Sequence, residues 1–218
     1  MIKIENVNKK KTNFSNEKKF NNLSNIEEYN SESTNVDEKD NSSIYEEDLM
    51  MDKNNLIINN ILNVLTLLIK DSEELEKNKS ESMTFSQFHF YNVFNSDTLP
   101  KISLKNYLIR ILKYSEIEIN TLIGSVIYLD YICNKNYIIS KYNIYKLLFI
   151  SILISAKFNE DVIYDNSTFS EISGLPINEV NQMENVFFKA MDYNLFISEE
   201  HFNTYKDILE NNICMVNI

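Results

Sequence analysis

From Ile102 onward the apolar residues of this chain recur at three- and four-residue spacing almost without a break, a period that helices satisfy and strands do not. Ser103 stands ahead of LKNYLIRILKYS as an N-cap, and Leu104, Tyr107, Leu108, Ile111 and Leu112 form one stripe along that helix. The spacing predicts a second helix over about 118–134 and a third over about 141–159. Both are apolar on most sides, which marks them as central elements. A short helix near 167–173 stops at Gly174, a residue suited to the left-handed cap, and Pro176 opens a longer one to about Met191. Ser198 then caps a last helix whose first turn holds Glu199 and Glu200, where carboxylates oppose the positive end of the helix dipole. The predicted fold is all-α, a bundle around a buried hairpin.

The part before Ile102 is less uniform. Residues 1–48 are rich in Asn, Ser, Lys and Glu with few aliphatics, too little apolar surface to offset backbone entropy, and read as a disordered low-complexity tail. Leu56, Ile57, Ile61, Leu62, Val64, Leu65 and Leu68 predict an amphipathic helix over 49–72 that packs on the main domain. A charged linker over 73–82 follows, and then 84–95 with five Phe or Tyr residues, expected to lie against the core. The division is therefore tail 1–48, helix and linker 49–101, and main domain 102–218.

Composition removes several kinds of function. A net charge of −11 with Arg110 as the only arginine opposes nucleic-acid binding, which needs clustered cations. No stretch approaches the roughly 18 apolar residues of a membrane span, and the N-terminus lacks the apolar core of a signal peptide, so a cytoplasmic or nuclear protein without membrane association is expected. Cys133 and Cys214 make neither a disulfide framework nor a zinc site. With only Gly124 and Gly174, no phosphate-cradling loop can be built, and the lone His89 and His201 are assigned no role. The chain is expected to be no enzyme and to hold no cofactor or metal.

Some charges fall where the apolar pattern does not expect them. Arg110 interrupts YLIRIL and Asp130 interrupts VIYLDYI, and the simplest arrangement pairs them as a structural ion pair between two helices. Lys157 ends the uncharged run ISILISA, where burial of a charge would need a partner, and Glu184 sits in a comparable setting within NEVNQMENVFFKAMDYNL. On pattern alone Lys157 is a lysine snorkelling from a helix C-terminus.

In that order, YLIRIL, VIYLDYIC, LLFISILISAKFNED, NEVNQMENVFFKAMDYNLFIS and EEHFNTY resemble the cyclin box, most of all that of the short P-type or U-type cyclins related to the phosphate-pathway cyclins of yeast. The resemblance spans about 102–205. It implies a single five-helix cyclin box with an extra N-terminal helix, packed near the kinase-facing side, and a C-terminal helix, a domain that binds and activates a cyclin-dependent protein kinase and catalyses nothing itself. A cyclin-fold scaffold that binds without activating is the alternative. Lys157 and Glu184 match the family's lysine and glutamate that hydrogen-bond kinase backbone near its C-helix, and Arg110 with Asp130 match its internal ion pair. Ile154, Phe158, Phe188, Tyr193 and Leu195 fall on positions that in similar cyclins face the kinase, although periodicity alone makes them core. The chain departs from larger cyclins in having no tryptophan, which argues against their substrate-docking patch, although Ile109 and Leu112 stand at nearby positions. About a dozen residues follow Tyr205, so one box is expected.

Overall fold

Helices α4 (Ile119–Asn134) and α5 (Ile144–Asn159) form the axis of the molecule, because eleven consecutive or nearly consecutive side chains on each are buried and leave no solvent face to speak of. Their close approach depends on small residues. A Cβ added at Gly124 would lie 2.7 Å from Ser155 Oγ. That hydroxyl donates across the interface to the Thr121 carbonyl at 2.7 Å, while Ser125 and Ser151 donate to carbonyls within their own helices. These buried hydroxyls are thereby satisfied without prising the helices apart.

The computed structural model describes residues 53–70 and 84–211. The remaining elements are α1 (53–70), α2 (Phe85–Phe94), α3 (Leu104–Ser115), α6 (Asn166–Ser173), α7 (Ile177–Ala190) and α8 (Glu199–Glu210), with no strand among the described residues. The expected tail 1–48 and linker 73–82 lie outside them. α3 packs on α5 and α6, α7 on α2, α5 and α6, and α8 on α4. The fold is all-α, in agreement with the single-box architecture expected above.

Local chemistry sets the helix ends. Ser103 and Ser198 accept the backbone N–H of Asn106 and His201 at 3.2 and 3.3 Å, as the sequence predicts, and α6 ends at Gly174 with φ of 77°. Thr84 and Gln87 form a reciprocal capping box that turns the aromatic stretch into α2, whose Phe90 and Phe94 are buried, Phe90 tilted against Tyr137 and Phe94 edge-on to Phe187. Glu118 does not cap α4; Glu160 does so from beyond the end of α5, accepting from Glu118 N at 3.0 Å and Thr121 Oγ1 at 2.5 Å. α5 starts three residues later than 141, because the Asn143 side chain accepts from Ser140 N and donates to the Ile138 carbonyl, holding 141–143 in a turn. Lys146 Nζ bonds the Val93 and Asn95 carbonyls at 3.4 Å and pairs with Glu179 at 2.7 Å, joining the end of α2 to the start of α7. α1 buries Ile57, Ile61 and Leu65, and Asn60 donates to the Leu209 carbonyl at 2.7 Å, so it packs on the domain as expected.

The Arg110–Asp130 ion pair does not form. Arg110 is exposed on α3, and its Nη2 donates to the Glu171 carbonyl at 3.3 Å in the last turn of α6, where backbone acceptors lack helical partners. Asp130 is buried and faces α8, accepting from Asn134 Nδ2 at 2.9 Å and from the Tyr205 hydroxyl. The two charges belong to different interfaces. Each is satisfied by neutral groups, so no ion pair is needed to offset desolvation.

Candidate functional site

The last turn of α5 and the middle of α7 bring the two singled-out charges together. Lys157 Nζ lies 2.5 Å from Glu184 Oε1, with about a third of the lysine side chain exposed and 15% of the glutamate's. The other carboxylate oxygen, Oε2, accepts from Asn166 Nδ2 at 2.8 Å. Lys157 is therefore not a buried charge: the apolar run ends at Ala156, and residues 157–159 are exposed. The sequence expectation gave each residue a partner outside the chain. The structure gives them each other, and leaves donors on the ammonium and lone pairs on the carboxylate unused by this pair.

Of the five apolar residues expected to face a partner, Phe158 and Tyr193 are outward, at 56% and 69% exposure. Tyr193 follows Asp192 in a turn where both have left-handed backbones, φ of 56° and 53°, and its N–H is held by the Phe188 carbonyl at 2.9 Å. A bulky side chain rarely adopts this conformation, and the cost is one that neighbouring structure must impose. Phe188 and Leu195 are partly buried against the core, and the Leu195 carbonyl accepts from Tyr128 Oη at 2.9 Å. Ile154 is a correction: it is fully buried in the core and presents nothing to a partner. Three positions before Lys157, it shares that residue's side of α5 but stands one turn deeper, in the stretch that the fold covers completely.

Beside Phe158 runs a half-open cleft of about 450 Å³. Gly124 and Tyr128 of α4 form one wall, Phe158 and Asn159 another, and Phe196, Ile197, Glu199 and Phe202 the third. Phe196 is 71% exposed, so two large aromatic side chains, Phe158 and Phe196, stand out beside the cleft, while Tyr193 follows Asp192, which pairs with Lys135 at the far end of α4. The sequence reading missed Phe196 and Phe202. Phe196 lies between helices and has no period to betray it, and the only available signal for the wall is Gly124, one of two glycines.

Away from this cleft the reactive groups are structural. Tyr131 Oη meets His201 Nδ1 at 2.9 Å between α4 and α8, and burial, then Asp130, pushes the Cys133 thiol up to about 12, so it stays protonated. Burial and then Asp130 likewise push the Tyr205 phenol far above its usual range. Among the described residues no cluster of His, Cys, Asp or Glu could hold a metal ion, and no helix is long and apolar enough to cross a membrane.

An all-helical domain that buries its reactive groups and exposes an apolar cleft beside a Lys–Glu pair has the make-up of a protein-binding regulatory domain of cyclin-box type. The chain belongs to the cyclin family: the Cyclin family model matches residues 8–195. It is 34% identical over 182 residues to the PHO85 cyclin-like protein psl1 of Schizosaccharomyces pombe, covering 78% of this chain and 74% of that protein. With Cyclin-U4-2 of Arabidopsis thaliana it shares 29% identity over 161 residues (73% and 74%), and with Cyclin-U2-1 of the same plant 29% over 155 residues (70% and 69%). The relatives are thus of the P/U type expected from the motifs, and membership makes the chain a cyclin-type kinase regulator.

Proposed function

We propose that this chain is the regulatory subunit of a cyclin-dependent protein kinase, which it binds through the face bearing Lys157, Glu184, Phe158, Tyr193 and Phe196 and activates by docking the kinase C-helix. The observation that supports this most is the exposure of Phe158 and Phe196 on one cleft beside a prepaired lysine and glutamate. Burial of each aromatic ring contributes roughly 2 kcal/mol, enough together to drive association, while the ion pair's spare donors and acceptors fix orientation on peptide groups. An isolated kinase holds its C-helix outward, separating the lysine and glutamate that position ATP phosphates; a partner that binds the inward state better shifts that equilibrium. We place this activity in the cytoplasm or nucleus.

The test mixes the purified chain with a panel of cyclin-dependent kinases, a PHO85-type kinase included, and measures affinity and substrate phosphorylation. Lys157→Ala and Glu184→Ala each weaken binding about tenfold or more. Their unfolding free energies stay within about 1 kcal/mol of wild type, because a part-exposed pair contributes little to stability. Wild-type affinity in both variants contradicts the docking face. Binding without a gain in phosphorylation supports a scaffold in place of an activator.

A further inference from the structure

Asn166 is the first residue of α6, directly after the Asp165 cap. Its Nδ2 donates to Glu184 Oε2 and to Asn181 Oδ1, both at 2.8 Å. Asn181 and Glu184 are three apart on α7 and so share one face of that helix. Both amide hydrogens thus leave α6 for oxygens on α7. Turning the amide over would set its oxygen against two other oxygens, so the orientation is fixed by its acceptors. The arrangement leaves Oδ1 buried, with no hydrogen-bond donor among the described residues. An asparagine near a helix start ordinarily turns to nearby backbone, and this one forgoes a partner for its oxygen to hold two on another helix.

The consequence falls on Glu184. Oε1 is held by Lys157 from α5 and Oε2 by Asn166 from α6, so the carboxylate is gripped from both sides and cannot rotate. Fixing a group before its partner arrives removes ordering cost from association. We propose that Asn166 is a positioning residue for kinase engagement, acting through Glu184 by setting the plane of its carboxylate. This rests on the docking face described above.

The experiment is a double-mutant cycle on the full chain, with the kinase that wild type binds most tightly in the panel as probe. Asn166→Ala weakens binding about tenfold in the wild-type background, the loss expected for one hydrogen bond to a charged group, and has no further effect in a Glu184→Ala background. Asn166→Asp provides the check on folding. An acidic residue suits the first turn of α6, so helicity is kept, yet it sets a second carboxylate against Glu184 and loses at least as much affinity. Equal losses from Asn166→Ala in both backgrounds assign Asn166 to the fold alone and overturn the proposal. So does wild-type affinity in Asn166→Ala and Asn166→Asp when Glu184→Ala binds weakly, which leaves the docking face standing. Wild-type affinity in Glu184→Ala overturns the docking face, and this proposal with it.

Discussion

Asp130 and Arg110 separate what a charge in an apolar helix announces from what satisfies it. The sequence marks both as out of pattern, and the marking is sound. Their partners are a tyrosine hydroxyl, an asparagine amide and a backbone carbonyl, none of which carries a charge that a search for complements would find. Asp130→Ala leaves the buried Tyr205 hydroxyl without this acceptor and is expected to cost about 1–3 kcal/mol in urea unfolding. Arg110→Ala, at an exposed site, costs about 0.5 kcal/mol or less. The two add independently in the double variant; a coupling above about 1 kcal/mol contradicts the separate interfaces described here. The residues expected to face a kinase divide by the same logic. Phe158 and Tyr193 are outward while Ile154 is core; Ile154 and Phe158, four apart, share one side of α5, and only the folded chain shows that the turn holding Ile154 is covered and the last turn is not.

At the level of elements, stripes and caps were legible. Ser103, Ser198, Gly174 and Pro176 mark boundaries through groups adjacent in sequence, and the structure puts helix ends at or beside them. The caps supplied from a distance were not legible: Glu160 on α4 and Lys146 on α2 exist only once the chain has folded back. Gly124 holds the packing of α4 on α5. Replacing a helical glycine with alanine ordinarily gains about 1 kcal/mol from propensity. Here the new methyl meets Ser155 Oγ in a fully buried interface, and overpacking of this kind costs about 1–3 kcal/mol, so Gly124→Ala is expected to be net destabilising in thermal or urea unfolding. The Asp165 cap gives a pH dependence of known sign. Hydrogen bonds from Thr168 hold its carboxyl below the ordinary 3.8, so its contribution is complete above that value and is lost as pH falls through the lowered folded one. Acid unfolding curves of wild type and Asp165→Ser should converge as pH falls; a gap that widens on acidification contradicts the cap.

For the whole molecule, the order of five helical motifs was enough to anticipate an all-α cyclin box, since helix identity and sequence order survive without knowledge of packing. The cleft was not, because its walls come from α4, α5, the connector after α7 and α8. The position of α1 was only partly legible. Its Asn60 bonds the Leu209 carbonyl, at the far end of α8 from Glu199 and about 15 Å along that helix, which no pattern within 49–72 announces. One comparison tests the docking face most directly, the affinity of a cyclin-dependent kinase for Phe158→Glu against Ile109→Glu. Both substitutions put a carboxylate on an exposed apolar site, one beside the Lys157–Glu184 pair and the other on α3. A drop of about a hundredfold or more for Phe158→Glu, with Ile109→Glu within about threefold of wild type, is the predicted result. Equal affinities for the two variants, or a larger loss from Ile109→Glu, would contradict it.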